Sequence, residues 1–283
     1  MNAALRILVV GAGAVGGYFG GRLQEAGRDV TFLVRSGRAG QLRRDGLRID
    51  SPHGDLTLQP KLVEAGGITS PYDVILLGVK GYALDSALDD LAPAIGSGSA
   101  ILPVLNGLRH MDRLRERFGP AVIGGVCVVA TELAPDGRIV QRNEMQKLAY
   151  GELDGTVTPR IQAIHDALSH AGFEAALSTD IVAAMWEKWV MLASLGAACC
   201  LIRGAIGDIA AAPGGPETAL AIVDECVAAA TALGHPPAGE FVARHRTTMT
   251  AQGSPLTSSM YRDVIKGAPV EAETILGDLI DRA

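Results

Sequence analysis

The first half of the chain alternates short, unbroken aliphatic runs with amphipathic stretches. Leu5 to Val10, Asp29 to Val34, Asp73 to Val79 and Ala100 to Leu105 have the pattern of strands buried on both faces. Between the first two, Val15, Phe19 and Leu23 recur at i, i+4 and i+8, which predicts a helix over Val15 to Ala26 with one apolar stripe. Strands alternating with helices predict a right-handed parallel α/β sheet. Leu47 to Asp50 and Asp55 to Gln59 flank Pro52-His53-Gly54 and predict a small hairpin. Val122 to Ala130 and Lys147 to Glu152 predict further strands, joined through a turn at Pro135-Asp136-Gly137.

After Thr158 the period changes to 3.6. Arg160 to Ala171 reads as a helix, and helices are expected over 180–203, 216–233, 238–251 and 270–281. Pro213-Gly214-Gly215-Pro216 and Pro236-Pro237 break them. The expected organisation is an α/β domain over 1–178 and a helical domain over 179–283, linked through Leu177-Ser178-Thr179-Asp180. Two domains suit 283 residues at about 100–200 residues each.

Composition narrows the function classes. Hydrophobic residues make up 48% and charged residues 20%, which allows a sizeable core and excludes wholesale disorder. A net charge of −6 argues against a nucleic-acid partner held by phosphate neutralisation. The longest strongly apolar uncharged run, Trp189 to Ile202, is shorter than the roughly 20 residues that span a bilayer. With no signal-peptide pattern at the N-terminus, a soluble cytoplasmic protein is expected, with no membrane partner. Cys127, Cys199, Cys200 and Cys226 show no CxxC spacing and no nearby His pair, so each reads as a buried thiol and no metal site is expected.

The chemistry begins at Gly11-Ala12-Gly13-Ala14-Val15-Gly16, a GxGxxG between a predicted strand and a predicted helix. Gly11 allows a tight turn, Gly13 a close backbone approach to pyrophosphate, and Gly16 close helix–strand packing. The helix N-terminus then offers unpaired N–H groups to the phosphates. NAD enzymes of this kind carry an acid at the end of the second strand to bind the ribose 2′-OH. Here that strand ends in Arg35-Ser36, with Arg38 close behind. A guanidinium there suits a 2′-phosphate and points to NADP(H), although an arginine in a loop is often only a solvated charge. Lys80 follows the third strong strand and Asn106-Gly107 the fourth, where carboxyl ends line a ligand crevice. Taken singly, each would more often be a loop lysine or a turn asparagine.

Together with Met185-Trp186-Glu187-Lys188-Trp189, Ser258-Ser259-Met260-Tyr261-Arg262-Asp263 and Glu271, these segments resemble the ketopantoate reductase (2-dehydropantoate 2-reductase) family over essentially the whole chain. The resemblance implies a Rossmann-type doubly wound domain followed by an all-helical one. It also implies reduction of a branched 2-oxo acid by NADPH, in pantothenate biosynthesis. It makes Lys188 the proton donor to the new alkoxide and a substrate contact, Ser259 a substrate-binding serine, and Glu271 an acid at the ligand cleft. Lys80 and Asn106 become the nicotinamide-side and substrate-side polar groups, and a homodimer through the helical domain is the suggested assembly. Apart from the resemblance, Lys188 reads as a helix lysine snorkelling past Trp186 and Trp189.

The family places asparagines four and eight residues after its lysine, where this chain has Leu192 and Gly196. That departure opens two alternatives to 2-dehydropantoate: a different, more apolar 2-oxo acid, or a non-catalytic NADP-binding protein. A β-hydroxyacid dehydrogenase shares the domain order, but its GxGxxxK helix with an Asn four residues after the lysine has no match at Lys188.

Overall fold

A computed structural model describes residues 4–283. In chain order the strands are β1 (Arg6–Val10), β2 (Asp29–Leu33), β3 (Leu47–Asp50), β4 (Leu56–Leu58), β5 (Lys61–Val63), β6 (Val74–Leu77), β7 (Ala100–Pro103), β8 (Gly124–Leu133), β9 (Ile139–Gly151) and β10 (Glu174–Leu177). The helices of the first part are α1 (Ala14–Glu25), α2 (Ser36–Asp45), α3 (Leu84–Leu91), α4 (Arg109–Phe118) and α5 (Pro159–Leu168). Those of the second are α6 (Ile181–Ile202), α7 (Ile206–Ala211), α8 (Gly215–Ala232), α9 (Gly239–Met249), α10 (Ser259–Ile265) and α11 (Asp278–Arg282). Two compact units result. One takes the chain up to Leu105 together with Met111–Ile181; the other takes Asn106–His110 and Val182–Ala283.

The first unit is the expected parallel α/β structure. Its main sheet runs β5-β2-β1-β6-β7, every pairing parallel. Residues 7–10 and 74–77 are buried throughout, which is why both strands read as unbroken aliphatic runs. The Asp73 to Val79 run stops being strand at Leu77, leaving Gly78-Val79-Lys80 as loop. Below α1, Phe19 packs edge-on against Phe173, with centroids 5.0 Å apart.

A second, mixed sheet runs β10-β9-β3-β4, with β8 on β9. The expected hairpin is present, Leu47 opposite Leu58. Strands β8 and β9 are far longer than their apolar stretches, and polar Arg142, Asn143 and Glu144 fall in a bulge where the pairing jumps from Gln146 opposite Val129 to Gln141 opposite Thr131. The turn at Pro135-Asp136-Gly137 joins them, with Gly137 N–H donating to the Ala134 carbonyl at 2.8 Å.

In the helical unit α6 is apolar nearly all round. Leu195, Ala198 and Cys199 pack with Ile206, Ile209, Ala219, Val223 and Met249. At 22 residues α6 is long and apolar enough to cross a membrane by length and composition alone, yet more than half of that window is buried inside the protein, the mark of a core helix. The helix expected over 270–281 starts instead as a wide π-type turn at Glu273–Gly277 that runs into α11. Cys127, Cys199 and Cys226 are buried free thiols, and Cys200 is half-buried; burial pushes Cys226 up to about 11.

Candidate active site

The order of the main sheet reverses beside β1, between β2 and β6, and ligands of such sheets bind outside the carboxyl ends at that point. There Gly11 adopts φ +93°, and a Cβ on it would lie 3.0 Å from Val79 Cγ1. A Cβ on Gly16 would run into the Gly11 carbonyl oxygen, and one on Gly78 would lie 2.8 Å from Gly16 Cα. The turn after β1, the start of α1 and the loop after β6 are therefore pressed together, which sets exposed Lys80 beside the turn. Gly13 differs: nothing lies within 4 Å of the place its Cβ would occupy. It is also the N-cap of α1 and makes no side-chain capping bond. Buried Ala12 and half-buried Ala14 and Val15 complete the turn. An open approach to an uncapped helix N-terminus is a cradle that fits a nucleotide phosphate.

Arg35 is exposed at the N-cap of α2. Its Nη2 donates to the Ser86 hydroxyl at 2.9 Å, and Ser86 in turn donates to the Ala83 carbonyl at 3.2 Å. Arg38 turns the other way. Its Nε donates to the Ala12 carbonyl at 3.0 Å and its Nη1 to Gln41 Oε1 at 2.5 Å and the Gly137 carbonyl at 3.1 Å. Burial, then the charge of Arg48, lowers the Arg38 pKa. Arg35 thus keeps an outward guanidinium, whereas Arg38 braces the glycine turn from behind.

In the helical unit, half-buried Lys188 lies between buried Trp186 and Trp189, whose rings are 5.0 Å apart. The Asn106–His110 segment packs here. Gly107 has φ +73°, and a Cβ on it would enter the Thr274 carbonyl oxygen and come within 3.8 Å of Trp189 Nε1. That indole donates to the Ile275 carbonyl at 2.8 Å. Glu271 is buried, and its carbonyl accepts from the Thr274 hydroxyl at 3.1 Å and the Ile275 N–H at 3.0 Å. Asn106, Lys188 and Glu271 therefore come from three segments tied together through Trp189 and a π-type turn, a feature frequent at functional sites.

Ser259 lies elsewhere in this unit. It opens α10, where the hydroxyl of its neighbour Ser258 accepts from the Tyr261 N–H at 2.9 Å and so takes the capping role. The following Met260 packs over Gly196, where a Cβ would lie 2.6 Å from its Cε. Lys188, Leu192 and Gly196 share one face of α6, so this contact falls two turns, about 12 Å of helical rise, from the lysine.

One buried group near the cluster escaped the sequence reading: His110, at the start of α4 just after Asn106, with Lys188 as the nearby charge. A polar residue at the start of a polar helix gives no periodic signal that could have singled it out. A groove of about 890 Å³ on the first unit, lined by Asp112, Arg115, Glu152 and Arg160 among others, holds none of the expected residues. Its Glu152 carboxylate is already bound by Arg160 at 2.5 Å and Thr158 at 2.6 Å.

Known proteins resemble this chain over nearly its whole length. The sequence profile described as Ketopantoate reductase PanE/ApbA matches residues 7–155, and its C-terminal counterpart matches residues 180–283. The uncharacterized oxidoreductase YkpB of Bacillus subtilis (strain 168) is 36% identical over 280 residues, 99% of this chain and 92% of that protein. The crystal structure of 2-dehydropantoate 2-reductase from Geobacter metallireducens GS-15 superposes with a TM-score of 0.87 at 29% identity, covering 98% of this chain and 93% of that one. A D-mandelate dehydrogenase solved with NADH and anilino(oxo)acetate shares the fold, with a TM-score of 0.85 at 21% identity over 98% and 91% of the two chains. The chain belongs to the ketopantoate reductase family of oxidoreductases.

Proposed function

We propose that this protein reduces a 2-oxo acid to the 2-hydroxy acid with NADPH in the cytoplasm, with 2-dehydropantoate (giving pantoate) as the first substrate to test. The observation that carries the reading is the convergence of Asn106, Lys188 and Glu271 on the Trp189 turn, in a chain whose other unit holds the glycine cradle. NADP(H) is favoured over NAD(H) because Arg35 stands at the end of β2 where a carboxylate would repel a 2′-phosphate.

When bound, NADPH supplies the hydride. The chain's task is then the charge left on the carbonyl oxygen. The Lys188 ammonium stabilises that oxygen as it becomes alkoxide and delivers the proton to it. Asn106 orients the carbonyl or the nicotinamide amide. Buried Glu271 accepts from a substrate or cofactor hydroxyl, Ser259 serves the substrate carboxylate, and Lys80 the nicotinamide side.

A more apolar 2-oxo acid is the second reading, favoured by Leu192 one turn from Lys188 and by Met260 filling the space over Gly196. Loss of NADPH absorbance with 2-dehydropantoate and a panel of straight, branched and aryl 2-oxo acids tests both. Turnover of at least one acid is expected, and Lys188→Ala should lower kcat about 10²- to 10⁴-fold with NADPH affinity and melting temperature unchanged. NADPH binding without turnover of any acid would identify a non-catalytic nucleotide-binding protein. Near-normal turnover in Lys188→Ala would return the lysine to a packing role.

A further inference from the structure

Trp189 follows Lys188 on α6, is 1% exposed and takes no part in the proposed chemistry. Its indole nevertheless meets the main chain of the segment that carries Glu271. Nε1–H donates to the Ile275 carbonyl at 2.8 Å. The N–H of that same Ile275 donates to the Glu271 carbonyl at 3.0 Å, and the Thr274 hydroxyl donates to it as well, at 3.1 Å. A run of hydrogen bonds therefore leads from α6, through the two peptide groups flanking Ile275, to the backbone of Glu271. The ring that starts it is itself held. Trp186 lies against it at 5.0 Å, and the Arg282 guanidinium, paired with Asp278 at 3.1 Å, lies 5.6 Å from its centroid. Gly107 bears on the Thr274–Ile275 peptide, since a Cβ there would enter the Thr274 carbonyl oxygen.

We propose that Trp189 is a positioning residue for Glu271, its indole N–H fixing the π-type turn so that Glu271 is held in register with Lys188. The inference rests on the reading of Lys188 and Glu271 as site residues. The turn at Glu273–Gly277 departs from regular α-helix, so its ladder alone does not specify where it sits. A donor from outside, on one of its carbonyls, does. Lys188 and Trp189 are consecutive residues of one helix, so this bond sets the turn relative to the lysine and not merely to the core. A phenyl ring would fill most of the space but give the Ile275 carbonyl no donor. Misplacement by about 1 Å can cost about 10²-fold in rate.

The test uses the full chain with Trp189→Phe, which removes the donor and keeps an aromatic ring, and Thr274→Val, which removes the second bond to the Glu271 carbonyl. Each is made alone and on a Glu271→Gln background. Measured are kcat/KM for the best 2-oxo acid, NADPH affinity and melting temperature. Trp189→Phe should lower kcat/KM roughly tenfold, and Thr274→Val should lower it less. Neither should lower it further once Glu271 is glutamine, because a residue that acts through another has no separate effect left. A purely structural tryptophan would cost the same on both backgrounds, and that result would overturn the proposal. So would wild-type kinetics in Trp189→Phe, or a fall in melting temperature that accounts for the lost rate. Should Trp189→Phe fail to fold, Thr274→Val decides by the same comparison, and its full activity would count against the proposal. A wild-type chain that reduces no 2-oxo acid would instead overturn the functional reading, and the role of Trp189 with it.

Discussion

Arg35 and Arg38 are three residues apart, and nothing in their sequence context separates them. In the structure one is exposed on the Ser86 hydroxyl and the other is half-buried on the Ala12 and Gly137 carbonyls. The division was not legible in the sequence because, besides the Gln41 side chain, Arg38 is held by main-chain oxygens, one of them 99 residues away. Their substitutions should therefore differ in kind. Arg35→Ala should weaken NADPH by roughly 1.5–3 kcal/mol, the worth of a charge-assisted hydrogen bond, and leave NADH nearly unchanged. Arg38→Ala should weaken both cofactors alike, since it loosens the turn that either would use. Titrating both variants with both nucleotides checks this. An Arg35→Ala chain that loses the two equally would place the guanidinium away from the 2′-phosphate.

At the scale of elements, legibility followed burial. Strands β1, β2 and β6 lie in the interior of a parallel sheet and β7 is buried at its end, and all four announce themselves as aliphatic runs. Strand β5 is only Lys61–Val63, and β10 is Glu-Ala-Ala-Leu, too short or too alanine-rich for a period of two to emerge. The polar middle of β9 hid a strand of 13 residues. The glycine turn was legible because three backbone requirements coincide there, yet its glycines do different physical work. Gly16 has no room for a Cβ, whereas Gly13 has open space and an ordinary negative φ of −85°. Gly16→Ala should lower the melting temperature by separating α1 from β1. Gly13→Ala should leave the melting temperature intact but weaken nucleotide binding, because the added methyl stands where a phosphate would approach. Thermal unfolding and nucleotide titration on the two variants check the contrast, and a Gly13→Ala chain with wild-type nucleotide affinity would remove Gly13 from the cradle.

For the whole molecule, the change from strand to helical periodicity makes the two-part architecture visible in the sequence, but it cannot assign Asn106–His110, the end of the loop after β7 and the start of α4, to the other unit. That assignment depends on Gly107 meeting Thr274, a contact spanning more than half the chain. It also gathers two buried imidazoles into the helical unit, which makes its stability depend on pH. His245 is buried, stacked on Phe241 at 5.7 Å, with its Nε2 2.7 Å from the Ser194 hydroxyl. Ser194 also lies 2.7 Å from the Val190 carbonyl, and a hydroxyl that donates there can accept from a neutral His245 with its proton on Nε2. Burial lowers His245 from 6.5 to about 4 and, with the charge of Lys188, His110 to about 3. The unfolded chain takes up these protons as pH falls through about 6.5, and the folded chain does not until far lower. Between those limits the unfolded state binds more protons, so stability is fully present above about pH 6.5. It declines as pH drops towards 4, on the order of a few kcal/mol per imidazole. His245→Gln keeps a donor for Ser194 but cannot titrate, and should flatten that decline even if it is less stable at pH 7.5. Denaturant midpoints for both chains at pH 7.5, 6 and 5 measure the slope. A variant that declines as steeply as the wild type would show that carboxylates, not His245, set the acid sensitivity of the helical unit.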